Sequence, residues 1–175
     1  MIDLRPVVYV IGLVVAILGA TMLVPLLVDL YYGSTDWLVF LSTATITMVV
    51  GGSMSLATAN TGREGLTLQQ IFLLTTLIWI ALAVFAALPL YLSEIQARPV
   101  DAIFEAMSGL TTTGSTVLEG LDDLPTGLLV WRSMLQWFGG IGIIVVAMVF
   151  LPELRVGGMQ IFRSEAFDTM GKVLP

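Results

Sequence analysis

The sequence predicts an all-α integral membrane protein with four transmembrane helices, one re-entrant pore helix and a filter loop. Hydrophobic residues make up 57% of the 175 residues and charged residues 11%, and the mean hydropathy is +0.97. A soluble domain carries about 25% charged residues. Four charge-free stretches are long enough to cross a bilayer, and a fifth apolar stretch, too short to cross, precedes a hydroxyl-rich run.

The same composition excludes several classes of function. A net charge of −6 and a pI near 4.3 argue against a nucleic-acid partner. Because the chain has no Cys and no His, zinc sites, thiol nucleophiles and His-based triads are excluded. The charge-free stretches contain no carboxylate that could activate water. We therefore expect neither an enzyme nor a bound cofactor.

The four charge-free stretches define the predicted spans. They lie between ionisable residues at 6–28, 37–62, 65–93 and 133–152. Each is long enough for a spanning helix, which needs about 20 residues. The first stretch is too long for a signal peptide and no A-x-A cleavage site follows it, so we expect a permanent span.

The distribution of Lys and Arg predicts the orientation of the spans. Arg5 precedes the first span, and the first connection, 29–36, has no Lys or Arg. The second connection carries Arg63, and the tail after the last span carries three more basic residues. Because cytoplasmic loops are enriched in Lys and Arg, the N-terminus and the tail are predicted inside and the interval 94–132 outside.

The predicted outer interval is acidic. It contains six carboxylates and two arginines, Arg98 and Arg132. Membrane topology and solvation explain this composition, and so does an acidic vestibule that raises the local cation concentration. The sequence leaves both interpretations open.

A short helix is predicted within this interval. Pro99 suits a first helical turn, Asp101 favours the positive end of the helix dipole, and Gly109 ends the helix. About nine residues from Asp101 to Gly109 would span roughly 14 Å. This is about half of the ~30 Å hydrocarbon thickness, so the helix is predicted to enter the membrane without crossing it.

A hydroxyl-rich run with one glycine, Leu110-Thr-Thr-Thr-Gly-Ser-Thr116, follows the short helix. Thr disfavours further helix, and Gly114 admits backbone angles that are closed to other residues. Non-helical backbone at membrane depth must be buried in protein or line a water-filled path. We predict a re-entrant hairpin whose consecutive carbonyls replace the hydration shell of a cation. Helix packing or helix capping by the same residues is the alternative.

The helix after the hairpin is predicted to begin near Leu124 and to run to Leu151. Trp131 and Trp137 are expected to anchor it at the outer interface. Three small residues would allow another backbone to approach it closely, namely Gly139, Gly140 and Gly142.

Two polar residues of this helix, Arg132 and Gln136, lie one turn apart and share a face. They either reach the headgroups or point inward toward the hairpin. Glu105 of the short helix needs a partner at membrane depth. That partner is either Arg132 or a set of backbone N–H groups behind the filter, and we favour a structural brace over direct contact with an ion.

Two parts of the sequence carry a family resemblance. One reads DAIFEAMSGLTTTGSTVLEGLDDLP and is followed by LLVWRSMLQWFGGIGIIVVAMVFLPELRVGGMQIFRSE. It resembles the first pore repeat of the Trk-type potassium uptake proteins, the TrkH/KtrB superfamily related to plant HKT transporters. The start of the chain, VVYVIGLVVAILGATMLVPLLVDLYYG, is similar to the two-helix domain that precedes this repeat.

The resemblance implies one helix–pore-loop–helix repeat of a four-repeat, pseudo-fourfold, channel-like fold. Each repeat supplies a filter strand with one key glycine. The implied ion-binding residues are Thr111, Thr112, Thr113 and Gly114. Potassium would be bound by the carbonyls of Thr112, Thr113 and Gly114, and glycine rather than serine at position 114 favours potassium over sodium. The predicted supporting residues are Glu105, Arg132 and Ser115.

The resemblance also predicts the organisation and the partners. The expected segments are an N-terminal two-helix domain at 1–62, the repeat at 65–152 and a cytoplasmic polar segment at 153–175. The expected function is potassium uptake across the bacterial plasma (inner) membrane by a multi-pass protein with a cytoplasmic N-terminus. The implied partners are the lipid bilayer, other pore repeats and a cytoplasmic nucleotide-binding regulatory subunit, with potassium as the transported ion.

The family carries four repeats, whereas this chain carries one. A truncated or split gene product, an artificial fragment, or a small subunit that tetramerises would each account for the difference. We expect truncation, because the two-helix domain belongs to the four-repeat plan. The alternative functions are a non-conducting membrane fragment or interaction subunit, and a one-repeat homotetrameric cation channel.

Overall fold

The structure, a computed structural model, describes residues 3–60, 66–95, 97–146 and 148. The chain divides into two compact units, Met1–Gly139 and Gly140–Pro175. The residues discussed below as the candidate site belong to the first unit. The predicted end of the last helix and the predicted cytoplasmic segment at 153–175 lie outside the described residues.

Helices are the regular elements of the described residues, which contain no β-strand. They are α1 (Arg5–Thr21), α2 (Leu23–Tyr32), α3 (Trp37–Ala57), α4 (Leu68–Leu92), α5 (Pro99–Leu110), a 3-10 turn (Leu121–Asp123) and α6 (Thr126–Val146). Four stretches are long and apolar enough to cross a membrane: α1 with α2, α3, α4 and α6, with mean hydropathies of 2.7, 1.5, 2.6 and 1.5. The predicted all-α membrane fold with four spans is confirmed.

The first span contains a break at Met22. Pro25 has no N–H to donate to the carbonyl of Thr21, so the α-helical ladder is interrupted there. The helix then continues to Tyr32. Asp29, which the charge-free windows placed in the first connection, therefore lies inside α2, where it is fully buried.

Close packing joins α1 to α3, and an apolar core joins α4 and α5 to α6. A Cβ atom on Gly51 of α3 would overlap the backbone of Ala16 in α1, so the two helices touch backbone to backbone. The largest fully buried apolar side chains are Trp131, Phe40, Met22, Leu90, Leu110 and Leu128. This core holds α5 beside α4 and α6.

Candidate functional site

The site is built on α5, the short helix predicted before the hydroxyl-rich run. Pro99 occupies its first turn, as expected. Asp101 accepts hydrogen bonds from the Arg98 guanidinium at 2.7 and 3.1 Å, which hold the pKa of this carboxyl below its usual value. The helix has 12 residues rather than the nine predicted, or roughly 18 Å, which is still shorter than the ~30 Å hydrocarbon layer.

After α5 the chain turns back along the helix. Residues 113–118 have no regular secondary structure. The Ser108 hydroxyl donates a hydrogen bond to the carbonyl of Ser115 at 2.6 Å. The carbonyl of Ser108 accepts from the N–H of Thr113 at 3.0 Å and from the N–H of Gly114 at 3.5 Å. Ser108 thus contacts three consecutive residues of the returning segment through both of its oxygen atoms.

Two residues of the returning segment have left-handed backbone angles. Gly114 has a φ of +76° and Thr112 a φ of +56°. A Cβ atom on Gly114 would meet its nearest neighbour, Nε2 of Gln136, at 4.0 Å. Glycine is therefore required there by backbone conformation and not by lack of space. For Thr112 the same conformation costs about 1–2 kcal/mol.

Glu105 of α5 is buried, and both of its carboxylate oxygens accept hydrogen bonds. Oε1 accepts from the N–H groups of Val117 at 2.6 Å and Leu118 at 3.3 Å, and from the Thr116 hydroxyl at 2.5 Å. Oε2 accepts from Nε and Nη2 of Arg132 at 3.1 and 2.8 Å. The two alternative partners of Glu105, Arg132 and backbone N–H groups, are therefore both present.

α6 packs its polar and small residues against the hairpin formed by α5 and residues 111–118. Arg132 and Gln136 both point inward, Arg132 to Glu105 and Gln136 toward Gly114. A Cβ atom on Gly139 would overlap the carbonyl of Leu110, so the backbone of α6 touches the C-terminal end of α5. The sequence-predicted residues 105, 111–115 and 132 thus belong to one constellation.

Trp131 does not anchor α6 at an interface, and this expectation is wrong. Its side chain is fully buried, its Nε1–H donates to the carbonyl of Ala86 at 3.0 Å, and its ring meets Phe40 edge-on with centroids 6.4 Å apart. A buried indole needs such a partner for its N–H, and α4 supplies it. Trp137, by contrast, is 66% exposed.

Sequence reasoning missed two contacts of this region. One is the set of hydrogen bonds that the hydroxyl and the carbonyl of Ser108 make to the returning segment. A serine in an apolar helix gives no specific signal for such contacts. The other is the hydrogen bond from the N–H of Gly127 to Oδ1 of Asp29, at 2.8 Å. The signal for it was a carboxylate at the edge of an apolar stretch, where an unpaired charge is costly.

The hairpin offers neutral oxygen atoms to a ligand. Within the described ranges, no group of three or more Asp, Glu, His or Cys side chains is placed to hold a metal ion. Residues 111–117 are exposed, and they carry backbone carbonyls and Thr hydroxyls. Such oxygens suit a weakly held monovalent cation, because carbonyl dipoles replace its hydration shell.

Comparisons with known proteins identify the family of this chain. Residues 38–172 match the family described as TrkH, cation transport protein. The chain is 42% identical over 162 residues to the Trk system potassium uptake protein TrkH of Escherichia coli (strain K12), covering 92% of this chain and 33% of that protein. It is 41% identical over 164 residues to the Trk system potassium uptake protein TrkH of Halomonas elongata, covering 93% of this chain and 34% of that protein.

A solved structure is also similar. The crystal structure of the potassium transporter TrkH from Vibrio parahaemolyticus matches with a TM-score of 0.82 and 35% identity, covering 98% of this chain and 37% of that chain. This chain spans about a third of the length of the curated relatives it matches. The chain belongs to the TrkH family of cation transport proteins.

Proposed function

We propose that this chain takes part in potassium uptake across the bacterial plasma membrane as one repeat of a pore, with ions selected by backbone carbonyls around Gly114. Its relatives are named Trk system potassium uptake proteins. The observation that carries the proposal is the hairpin, in which α5 is followed by a returning segment with left-handed residues at Thr112 and Gly114.

The peptide orientations of the returning segment support this role. The N–H groups of Thr113 and Gly114 point at Ser108 in α5. Because a trans peptide places its C=O opposite its N–H, the carbonyls of Thr112 and Thr113 face away from α5, toward the proposed pore. The carbonyl of Ser115 is bound by Ser108 and so marks the end of the filter. The negative C-terminal end of α5 adds attraction for a cation.

The proposed setting is a re-entrant hairpin within a larger pore. α5 enters the membrane from the outer side, and the returning segment leaves on the same side. The returning segment lines a water-filled path, which satisfies its backbone polar groups. Other pore repeats, in a longer protein or in further copies, supply the remaining carbonyls, since a filter is a ring of such loops. The N-terminus is cytoplasmic, and a nucleotide-binding regulatory subunit docks on the cytoplasmic face.

The experiment is rubidium uptake in a bacterial strain that lacks its own potassium uptake systems, using the full-length protein that contains this chain. Gly114→Ser is expected to lower the preference for potassium over sodium about tenfold, the ratio that corresponds to about 1.4 kcal/mol. Gly52→Ser is the matched control, because a Cβ atom at Gly52 of α3 has open space and its backbone is not left-handed. An unchanged preference in Gly114→Ser contradicts the proposal.

A non-conducting membrane component is the second candidate. It is favoured by the single hairpin of the described residues, since one strand of carbonyls does not enclose an ion. Native mass measurement and ion flux in liposomes separate the two for the chain by itself. A monomer that shows no ion flux supports the non-conducting membrane component. A tetramer that shows ion flux supports a self-assembled pore.

A further inference from the structure

Asp29 of α2 is a buried carboxylate that the proposed filter does not use. Its side chain is fully buried, and Oδ1 accepts a hydrogen bond from the N–H of Gly127 at 2.8 Å, across 98 positions of sequence. Gly127 is the second residue of α6, where backbone N–H groups have no partner inside the helix. The residue before α6 is Pro125, whose side chain has no acceptor. Asp29 therefore supplies the N-terminal cap of α6 from a distant helix, through one carboxyl oxygen.

The contact depends on Gly127 as much as on Asp29. A Cβ atom on Gly127 would overlap the carboxyl group of Asp29. Any side chain at position 127 would thus displace the carboxylate from the start of α6. The carboxyl group of Asp29 and the absence of a Cβ atom at Gly127 together allow α2 and α6 to approach each other closely.

A second contact lies one turn further along the same face of α6. Trp131, four residues after Gly127, packs edge-on against Phe40 of α3. Both of these side chains are fully buried. The N-terminal helices α2 and α3 therefore hold the first two turns of α6 at two positions.

The same part of α6 also carries contacts to the hairpin. Arg132, the residue after Trp131, binds Glu105 at 2.8 Å. Leu135, one turn beyond Trp131 on the same face, lies beside Gly109. The start of α6 is thus held between the N-terminal helices and the hairpin. Because Arg132 is five residues from Gly127, a displacement of the first turn moves the guanidinium relative to Glu105.

We propose that Asp29 is a positioning residue for ion selection: by capping α6 it couples the N-terminal helices to the filter hairpin. This inference rests on the proposed potassium uptake. It assigns the N-terminal helices a role in holding the filter geometry, which goes beyond anchoring the chain in the membrane.

The test compares two substitutions at Asp29 in the full-length protein, with potassium and sodium competing against rubidium uptake. Asp29→Ala removes the acceptor and is expected to lower the potassium preference about tenfold, a ratio whose free energy is of the size that one buried hydrogen bond contributes. Asp29→Asn keeps an acceptor oxygen and is expected to stay near the parent preference. The control is Asp36→Asn, which changes a neighbouring buried carboxyl that makes no hydrogen bond to α6 among the described contacts.

Equal preferences in Asp29→Ala and the parent, at matched membrane abundance, overturn the inference. So does an equal loss in Asp29→Asn, or a loss of the same size in Asp36→Asn. If Asp29→Ala does not accumulate, Gly127→Ala tests the same contact, since its methyl group displaces the carboxylate while Asp29 remains.

A second measurement separates failure of this inference from failure of the proposed function. Amide hydrogen exchange in the first turn of α6 is expected to be about tenfold faster in Asp29→Ala and unchanged in Asp36→Asn. A parent protein that takes up no rubidium refutes the proposed function, whereas unchanged exchange in Asp29→Ala refutes the cap.

Discussion

Arg132 of α6 donates two hydrogen bonds to one carboxylate oxygen of Glu105 in α5, at 2.8 and 3.1 Å. The Glu105 side chain is 1% exposed and that of Arg132 is 19% exposed. The other oxygen of Glu105 faces the N–H groups of Val117 and Leu118. One buried carboxylate therefore joins three pieces of chain, namely α5, the returning segment and α6.

Glu105→Gln is expected to lower the free energy of unfolding by about 3 kcal/mol. Each described hydrogen bond to Glu105 is donated to one of its carboxylate oxygens, so the amide NH2 of glutamine must face a donor on one side. A loss of this size lowers the thermal midpoint in detergent by roughly 6–12 °C. Glu119→Gln changes an exposed acid of the same region and serves as control. Equal midpoints for both variants would contradict the role of Glu105 as a brace.

Ser108→Ala is expected to cost about 1 kcal/mol of stability, because it removes the bond to the carbonyl of Ser115. The freed carbonyl then has no donor from α5, and the potassium preference of uptake is expected to fall as well. Ser133→Ala is the matched control, since its hydroxyl donates within α6 to Leu129 on an exposed face. An effect on preference from Ser133→Ala as large as that from Ser108→Ala would refute the prediction.

Gly114→Ala is expected to destabilise the protein by about 1 kcal/mol through backbone conformation, since the site has room for a methyl group. The control is an alanine of the opposite chirality at the same position. A D-alanine introduced at position 114 by semisynthesis favours a positive φ and is expected to restore both stability and potassium preference. If L-alanine and D-alanine behave alike in thermal unfolding and rubidium uptake, the left-handed geometry of Gly114 is not what matters.

Asp36 predicts a dependence of stability on pH. Its side chain is 1% exposed, and burial raises the pKa of its carboxyl above the ordinary value of 3.8, against a smaller opposing effect of the Glu94 amide. The folded state thus binds the proton more tightly than the unfolded state. The contribution of Asp36 to the free energy of unfolding is therefore fully present below the pKa that its carboxyl has in the unfolded chain. This contribution is lost as the pH rises through the pKa of the carboxyl in the folded protein.

Asp36→Asn removes this titration and is expected to stabilise the protein by about 1 kcal/mol at neutral pH. Thermal unfolding between acidic and neutral pH measures the effect, and the difference between variant and parent should shrink as the pH falls. A difference that stays constant across this range would show that the carboxyl does not titrate in the folded state above its ordinary pKa.

The spans and the short helix could be predicted because each leaves a local pattern. A charge-free stretch of about 20 apolar residues favours a spanning helix, and Pro99 and Asp101 are residue types favoured in a first helical turn. The pairing of Glu105 was also predictable, since a carboxylate in an apolar helix needs donors and Arg132 lies in the helix that follows the hairpin. Ser115 was predicted as a supporting residue, and the structure connects it to α5 through its carbonyl.

Contacts between distant segments left no such pattern. The sequence pattern places Asp29 in a loop, because its partner, the N–H of Gly127, is a backbone group that nearly every residue carries. Trp131 was assigned to an interface because a tryptophan near a span end is typical of that position. The left-handed angle of Thr112 also had no local signal, since threonine rarely adopts it. All three features arise from tertiary packing, which a linear pattern does not contain.

The backbone contact between Gly139 and Leu110 limits how α5 and α6 can move. A Cβ atom at position 139 would overlap the last carbonyl of α5, so any side chain larger than that of glycine would push α6 away from this point. Because Arg132 lies two turns earlier on α6 and binds Glu105, a separation at Gly139 would also pull on that ion pair.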